Sequence, residues 1–342
     1  MKKIHSIPVI IILFAAALLF TWSCGEDTPV TPPPPEPYQF DSARFEYDVL
    51  RLEGDSYSTG ELWSMDTNQV FIVNPLYQTF VRIMDMQATY YKDPNFVSST
   101  IRGISNNEVY LSGLLIKEGQ PGMKKWNGSY LEEYPIDLIF NKTTFINKSL
   151  IRSSSDMWLL CNNIIIRKQG SDFTTYELQD TISKILFAFY DDAGIPSYVQ
   201  SFVDIDTTNT IKIYKFYGTW QKVFETREPF FDYVYKEFSN SVCKKDNSNV
   251  YLYNGSGFKK FFSTDIIDLF LVQGFDENNF MINSFNSNGI SIFHWNGQKF
   301  SEEKFVLGTG TNIFPINENL YYFYYENFGM SYTDIVRAVR KK

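Results

Sequence analysis

Histidine is nearly missing from this chain. The 342 residues contain two, and His5 lies in the apolar N-terminal stretch, so the body of the protein has only His294. Histidine is the usual general base near neutral pH and the usual transition-metal ligand. A Ser-His-Asp site or a zinc site therefore has almost nothing to be made from, and neither a metal nor a cofactor is expected. Cysteine is as scarce, at three. Beyond Cys24 only Cys161 and Cys243 remain, too few for a disulfide framework, and both stand in strand-like runs that predict buried free thiols. Basic side chains number 31 against 39 acidic ones, and their one cluster is Arg337 to Lys342. Nucleic-acid binding gains affinity from counterions displaced by a basic patch, so that class is set aside. The longest apolar run, Ile7 to Trp22, has sixteen residues, short of the ~20 that a membrane helix needs.

That run follows Lys2 and Lys3, and a charged start before a short apolar core is the pattern of a secretory signal. It ends at Thr21-Trp22-Ser23-Cys24, which resembles the lipobox of bacterial lipoproteins. The resemblance implies that Cys24 is acylated and becomes the new N-terminus, with Thr21 and Trp22 departing from the usual Leu and small residue. Thr28 to Pro37 then holds six prolines in ten residues, a composition that extends as polyproline II and serves as a stalk. The expected organisation is a signal peptide over 1–23, an anchor and Pro-rich linker over 24–41, and one domain over 42–342. Cleavage removes Lys2 and Lys3, leaving 29 basic side chains against 39 acidic and a formal charge of −10. The expected location is the bacterial cell envelope, at the outer membrane, held by lipid.

Aromatic residues make up 18% of the chain, more than loops use, and the common reason is a core of sheet layers filled by Tyr and Phe. A short turn containing glycine recurs as Trp126-Asn127-Gly128, Lys168-Gln169-Gly170, Tyr217-Gly218, Tyr253-Asn254-Gly255 and Trp295-Asn296-Gly297, at spacings of 42, 48, 37 and 42. Asn-Gly between apolar runs signals a hairpin in which both residues take a positive φ. About 20 residues upstream lies a second turn rich in Asn, Asp and Ser, as at Ser105-Asn106-Asn107 and Asp276-Glu277-Asn278. Each unit thus reads as four strands in roughly 40–45 residues, the size of a propeller blade. Leu62 to Lys92 adds an early copy with weak turns at Thr67-Asn68 and Asp85-Met86. Thr311 to Ala338 adds a late one that stops after three strands. Ala43 to Leu52 alternates as an outer strand should and can supply the missing fourth, which removes two exposed edges.

These repeats resemble the loose aromatic-Asn-Gly pattern of secreted bacterial propellers. The expectation is an all-β protein, a β-propeller of seven four-stranded blades closed by an N-terminal strand. Six or eight blades remain open because the stretch from Phe231 to Phe261 is irregular, and a pair of β-sandwiches is the rival architecture. The Trp-Asp, kelch and Asp-box signatures of better-marked propellers are absent from the sequence. So is the Trp-containing repeat of the propeller lipoprotein of outer-membrane barrel assembly.

Candidate chemistry is thin. His294 occupies a repeat position and reads as structural. The carboxylate pairs Glu132-Glu133, Asp191-Asp192 and Glu302-Glu303 suit neither acid-base pairing nor one substrate, because strand neighbours point to opposite faces; solvated edge charge is expected. Asp204 to Asn209 begins like a calcium loop but has Asn209 and Lys215 where an EF-hand uses Gly and Glu. Gly308-Thr309-Gly310-Thr311 lacks the lysine and helix of a phosphate cradle. The expected function is a non-catalytic, monomeric envelope lipoprotein that presents a binding face to a protein or glycan, with a carbohydrate-active enzyme as the alternative. Recognition is expected on the second-to-third strand loops, predicted to range from two residues at Asn162-Asn163 to about ten at Ile116 to Lys125. The candidate residues are Lys117, Glu118, Asp204, Asp206, Asn286 and Tyr332.

Overall fold

The computed structural model describes residues 44–53, 61–66, 68–74, 79–136, 145–161, 164–178, 184–203, 208–229, 234–238, 240–246, 249–263, 269–276, 278–286, 289–306, 310–326 and 332–341. The signal, Cys24 and the Pro-rich linker lie outside the described residues.

The described residues form 28 strands in seven sheets of four. Strand β1 is Phe45–Glu53. The first complete blade is β2 (Leu62–Ser64), β3 (Gln69–Asn74), β4 (Thr79–Met84) and β5 (Gln87–Lys92), and the second is β6 (Phe96–Ser105), β7 (Glu108–Leu115), β8 (Gln120–Trp126) and β9 (Leu131–Tyr134). The third is β10 (Ile146–Ser153), β11 (Asp156–Cys161), β12 (Ile164–Gln169) and β13 (Asp172–Glu177), and the fourth β14 (Lys184–Tyr190), β15 (Pro196–Val203), β16 (Thr208–Phe216) and β17 (Trp220–Pro229). The fifth is β18 (Val234–Phe238), β19 (Ser241–Lys245), β20 (Asn249–Tyr253) and β21 (Phe258–Ser263), so the irregular stretch is a regular blade. The sixth is β22 (Leu269–Asp276), β23 (Asn279–Asn286), β24 (Gly289–Trp295) and β25 (Phe300–Val306). The seventh takes β26 (Gly310–Asn317), β27 (Leu320–Glu326) and β28 (Tyr332–Arg340) from the end of the chain and β1 from its start. Each blade's first strand touches that of the next, and β26 touches β2, which closes a ring.

The closing strand pairs with β28 without a break, from Phe45 opposite Arg340 to Glu53 opposite Tyr332. Arg51 binds Asp334 through two nitrogens at 2.9 and 3.1 Å, and Arg337 binds Asp48 at 3.0 and 2.6 Å. The start of β1 is gripped by the sixth blade. Glu303 of β25, 7% exposed, accepts the backbone N–H of Arg44 at 2.9 Å and of Phe45 at 3.2 Å, and the Tyr47 hydroxyl at 3.0 Å. The Ser301 hydroxyl donates to it as well. The solvated edge charge expected at Glu302-Glu303 is therefore half wrong: Glu302 is exposed, whereas Glu303 is the buried clamp of the closure.

The core lies between blades. Second strands such as Val70-Phe71-Ile72-Val73 and Met157 to Cys161 are buried throughout, because a middle strand of a radial sheet has a neighbour on both faces. Outer strands alternate, with Gln87–Lys92 and Asp172–Glu177 half exposed. One cluster, Phe71, Val73, Phe80, Ile101, Leu111 and Trp126, fills the seam between the first two blades, and equivalent clusters fill five more seams; between the fifth and sixth blades Phe238 and Phe261 pack on Phe280. In two blades the aromatic residue of the repeat anchors the seam. Trp126 packs on Phe71, Phe80 and Tyr91 of the preceding blade, and Tyr253 on Phe224.

The Asn-Gly turns differ from expectation. Gly128, Gly255 and Gly297 have φ of 99°, 95° and 90°, but among described residues only Asp85 and Met86 are non-glycines with positive φ, at 49° and 60°. The asparagine works through its side chain instead. Asn127 Oδ1 accepts the N–H of Ser129 and Tyr130, Asn254 Oδ1 those of Ser256 and Gly257, and Asn296 Oδ1 those of Gln298 and Lys299. Each is a longer turn capped from within. The tight hairpin with two left-handed residues occurs at the weak signal, Asp85-Met86.

Candidate functional site

Strand order gives the ring two unlike faces. First-to-second and third-to-fourth turns share one, here the turn face; second-to-third loops and blade connections share the other, the loop face. The second-to-third loops are shorter and more uniform than expected. The predicted ten-residue loop at Ile116 to Lys125 is the four-residue turn 116–119, because Gln120 to Lys125 already belongs to β8. Across all blades these loops span two to five residues, and the variation lies in the connections between blades, from 93–95 to 135–145.

Of the predicted binding residues, Lys117 and Glu118 are exposed on that turn. Asn286 ends β23 opposite Gly289, and Tyr332 starts β28 opposite Glu53, both on the loop face. Asp204 and Asp206 lie outside the described residues. The candidates with a described place are thus spread over the second, sixth and seventh blades on one face.

A recess does lie beside Lys117 and Glu118. Outer strand β9 covers only Met123–Trp126 of β8, ending at Tyr134 before Pro135. Gln120, Pro121 and Gly122 extend past it. The notch encloses about 420 Å³ and is walled by Leu115, Pro121, Met123, Tyr134, Pro135 and Ile136, with Gln120 and Glu133 at its edge. Ile116 is exposed at its lip. Gly122 leaves room for Leu115, which walls the notch: a Cβ there would stand 2.5 Å from Leu115 Cγ.

Toward the axis, Glu61, just before β2, and the innermost strands β6 and β10 of the next two blades share an ionic cluster that the repeat did not reveal. Glu61 accepts from the Thr100 hydroxyl at 2.6 Å, the Ile101 N–H at 3.2 Å and the Arg102 guanidinium at 3.0 Å, and pairs with Lys148. Burial opposes its ionisation, but the charges of Arg102 and Lys148 and the hydrogen bonds from Lys148 and Thr100 outweigh burial and bring its pKa down to about 2. Its residues come from blades 1, 2 and 3, which marks a structural tie across the channel wall.

His294 is packed into the seam between the sixth and seventh blades. Its Nε2 meets Asn279 Oδ1 at 2.9 Å, which also accepts the Tyr321 hydroxyl at 2.9 Å, and its ring packs edge-on against Phe45 at 5.0 Å. Burial first, then the Arg44 and Arg340 charges, pushes its pKa down to about 3, so the ring is neutral. Cys161 and Cys243 are buried free thiols, and burial raises the Cys161 pKa to about 12.

No protein-family model and no curated protein matches the sequence. Solved structures do match over most of the chain. YCF48 bound to D1 peptide aligns with a TM-score of 0.60 at 12% identity, covering 88% of this chain and 100% of that one. Virginiamycin B lyase from Staphylococcus aureus aligns at 0.58 and 13%, covering 86% and 100%. The β-propeller domain of Myceliophteria thermophila Cps50 (Swd1) aligns at 0.55 and 8%, covering 85% and 99%. The chain is a seven-bladed β-propeller. The likeness is one of fold, and it spans a peptide complex and a lyase, so function is argued from the faces of this propeller.

Proposed function

We propose that this propeller is a non-catalytic binding scaffold of the bacterial cell envelope, held by lipid on Cys24, which takes an extended segment of a partner protein on its loop face. The observation that carries the reading is the notch beside Ile116–Gly119. Its apolar walls and polar edge suit one anchoring side chain, and its floor is fixed by ladder pairs rather than by a mobile loop. A glycan is the weaker occupant, because the walls are aliphatic, proline and one tyrosine edge rather than an exposed aromatic platform. YCF48, which shares the fold, was solved with a peptide bound. Both ends of the described chain, Arg44 and Lys341, lie on the opposite face.

The test is capture of partners from detergent-solubilised native envelope by the immobilised lipidated protein. Replacing 116–119 by Asn-Gly is expected to abolish capture of a defined partner with a thermal melt within a few degrees of the parent, and Ile136→Asp, whose side chain also packs on the core between the second and third blades, is expected to abolish it with a lower melt. Capture that survives both changes but is lost when the 127–130 turn is altered would place binding on the wrong face.

A further inference from the structure

We infer that the turn face is the side on which the anchored propeller rests against the phospholipid surface. This deepens the lipid-anchored reading and rests on it. Strand β1 begins at this face: Lys341 N–H donates to Arg44 O at 2.8 Å, and Arg340 N–H to Asn319 O, in a first-to-second turn, at 2.9 Å. The chain therefore enters the ring at its turn face, in the seventh blade.

Most of the large exposed apolar side chains lie on the same face. Of seven among the described residues, Met65 (56%), Met84 (46%), Tyr130 (58%) and Tyr217 (51%) lie on or next to its turns, Val49 and Tyr90 lie along the outer strands β1 and β5, and Ile116 lies on the loop face. Each alone would be ordinary. Their placement is not: Met84, Tyr130 and Tyr217 sit at third-to-fourth turns of blades 1, 2 and 4, which form the outer rim of the disc. Three points on a rim define a plane that can lie flat on a surface. Tyrosine settles at the headgroup level, with its ring in the apolar boundary and its hydroxyl in water, and methionine adapts its shape to irregular surroundings. Arg44, Arg340 and Lys341 add positive charge near the chain's entry, while Asp85, Asp192 and Glu318 on other turns offset it. The face is mixed rather than strongly cationic. It is therefore built for weak contact that becomes effective once the lipid holds the ring within reach of the bilayer.

The experiment places a polarity-sensitive thiol dye at Ser129→Cys on the turn face, or at Lys117→Cys on the loop face, of the lipidated protein in mixed phosphatidylcholine and phosphatidylglycerol vesicles. The native Cys161 and Cys243 are buried and do not compete for label. The expected result is a blue-shifted dye at 129 whose quenching by aqueous iodide falls several-fold relative to detergent solution, with the dye at 117 unchanged. Adding Met84→Ser and Tyr217→Ser should restore quenching at 129. Vesicle-bound protein in which 129 is quenched as freely as 117 would overturn the resting face while leaving the anchor intact. Lipidated protein that does not partition into vesicles would overturn the anchored reading, and this inference with it.

Discussion

Removing the Glu303 carboxylate should open the ring at its seam. Glu303 accepts four hydrogen bonds, two of them from backbone N–H groups at the first turn of the closing strand. A hydrogen bond to a charged group contributes roughly 1.5–3 kcal/mol, and orphaning a buried donor costs roughly 1–3 kcal/mol. These terms overlap, and Arg44 N–H is half-buried and can turn to water, so Glu303→Ala should cost about 3 kcal/mol. At roughly 2–4 °C per kcal/mol the melt falls by roughly 6–12 °C. Glu303→Gln keeps one acceptor oxygen and should fall between the variant and the parent. Glu302→Ala, exposed and one residue away, should stay within about 0.5 kcal/mol. Scanning fluorimetry gives the melts, and hydrogen exchange locates the loss, which should appear first in the amides of 45–53. Equal melts for Glu303→Ala and Glu302→Ala, with unchanged exchange in β1, would refute the clamp.

Three further outcomes follow from the same geometry. Replacing Asp85-Met86 by Asn-Gly relieves two left-handed non-glycine residues and should stabilise the protein by about 1 kcal/mol in denaturant titration. His294 is neutral in the fold with its pKa lowered from 6.5 to about 3, so below pH 6.5 the unfolded chain binds the extra proton. Stability should fall by about 2–3 kcal/mol between pH 6.5 and 4.5, and His294→Gln should flatten that slope. The Glu61 pKa is lowered to about 2; its contribution is therefore complete above pH 4.5 and lost as pH falls toward 2. Glu61→Gln should remove about 3 kcal/mol at pH 7 and little at pH 2, read from paired urea melts.

The fold was legible because a propeller repeats itself. Glycines at near-constant spacing marked the third-to-fourth turns, and a last unit one strand short required a partner, which the alternating residues before Glu53 supplied. The site was harder to read. Gly119-Gln120-Pro121-Gly122 looks like loop punctuation, yet β8 accommodates Pro121 in its first residues, beyond the end of β9, where it has a partner strand on one side only. The notch exists because β9 stops early, a property of two strands' relative lengths. Glu303 was misread for another reason: its partner Arg44 is 259 residues away, and nothing local separates it from exposed Glu302. Glu61 likewise acquires its partners from two later blades.

The central claim, that the loop face of an anchored propeller holds a partner protein, is tested most directly by site-specific photo-crosslinking in cells. A photoreactive amino acid placed at Lys117 should form one discrete crosslinked species at the envelope, and that species should vanish when Ile136→Asp is added. The same amino acid at Ser129, on the turn face, should not form it. A protein crosslinked equally from 117 and 129, or from 129 alone, would contradict the account.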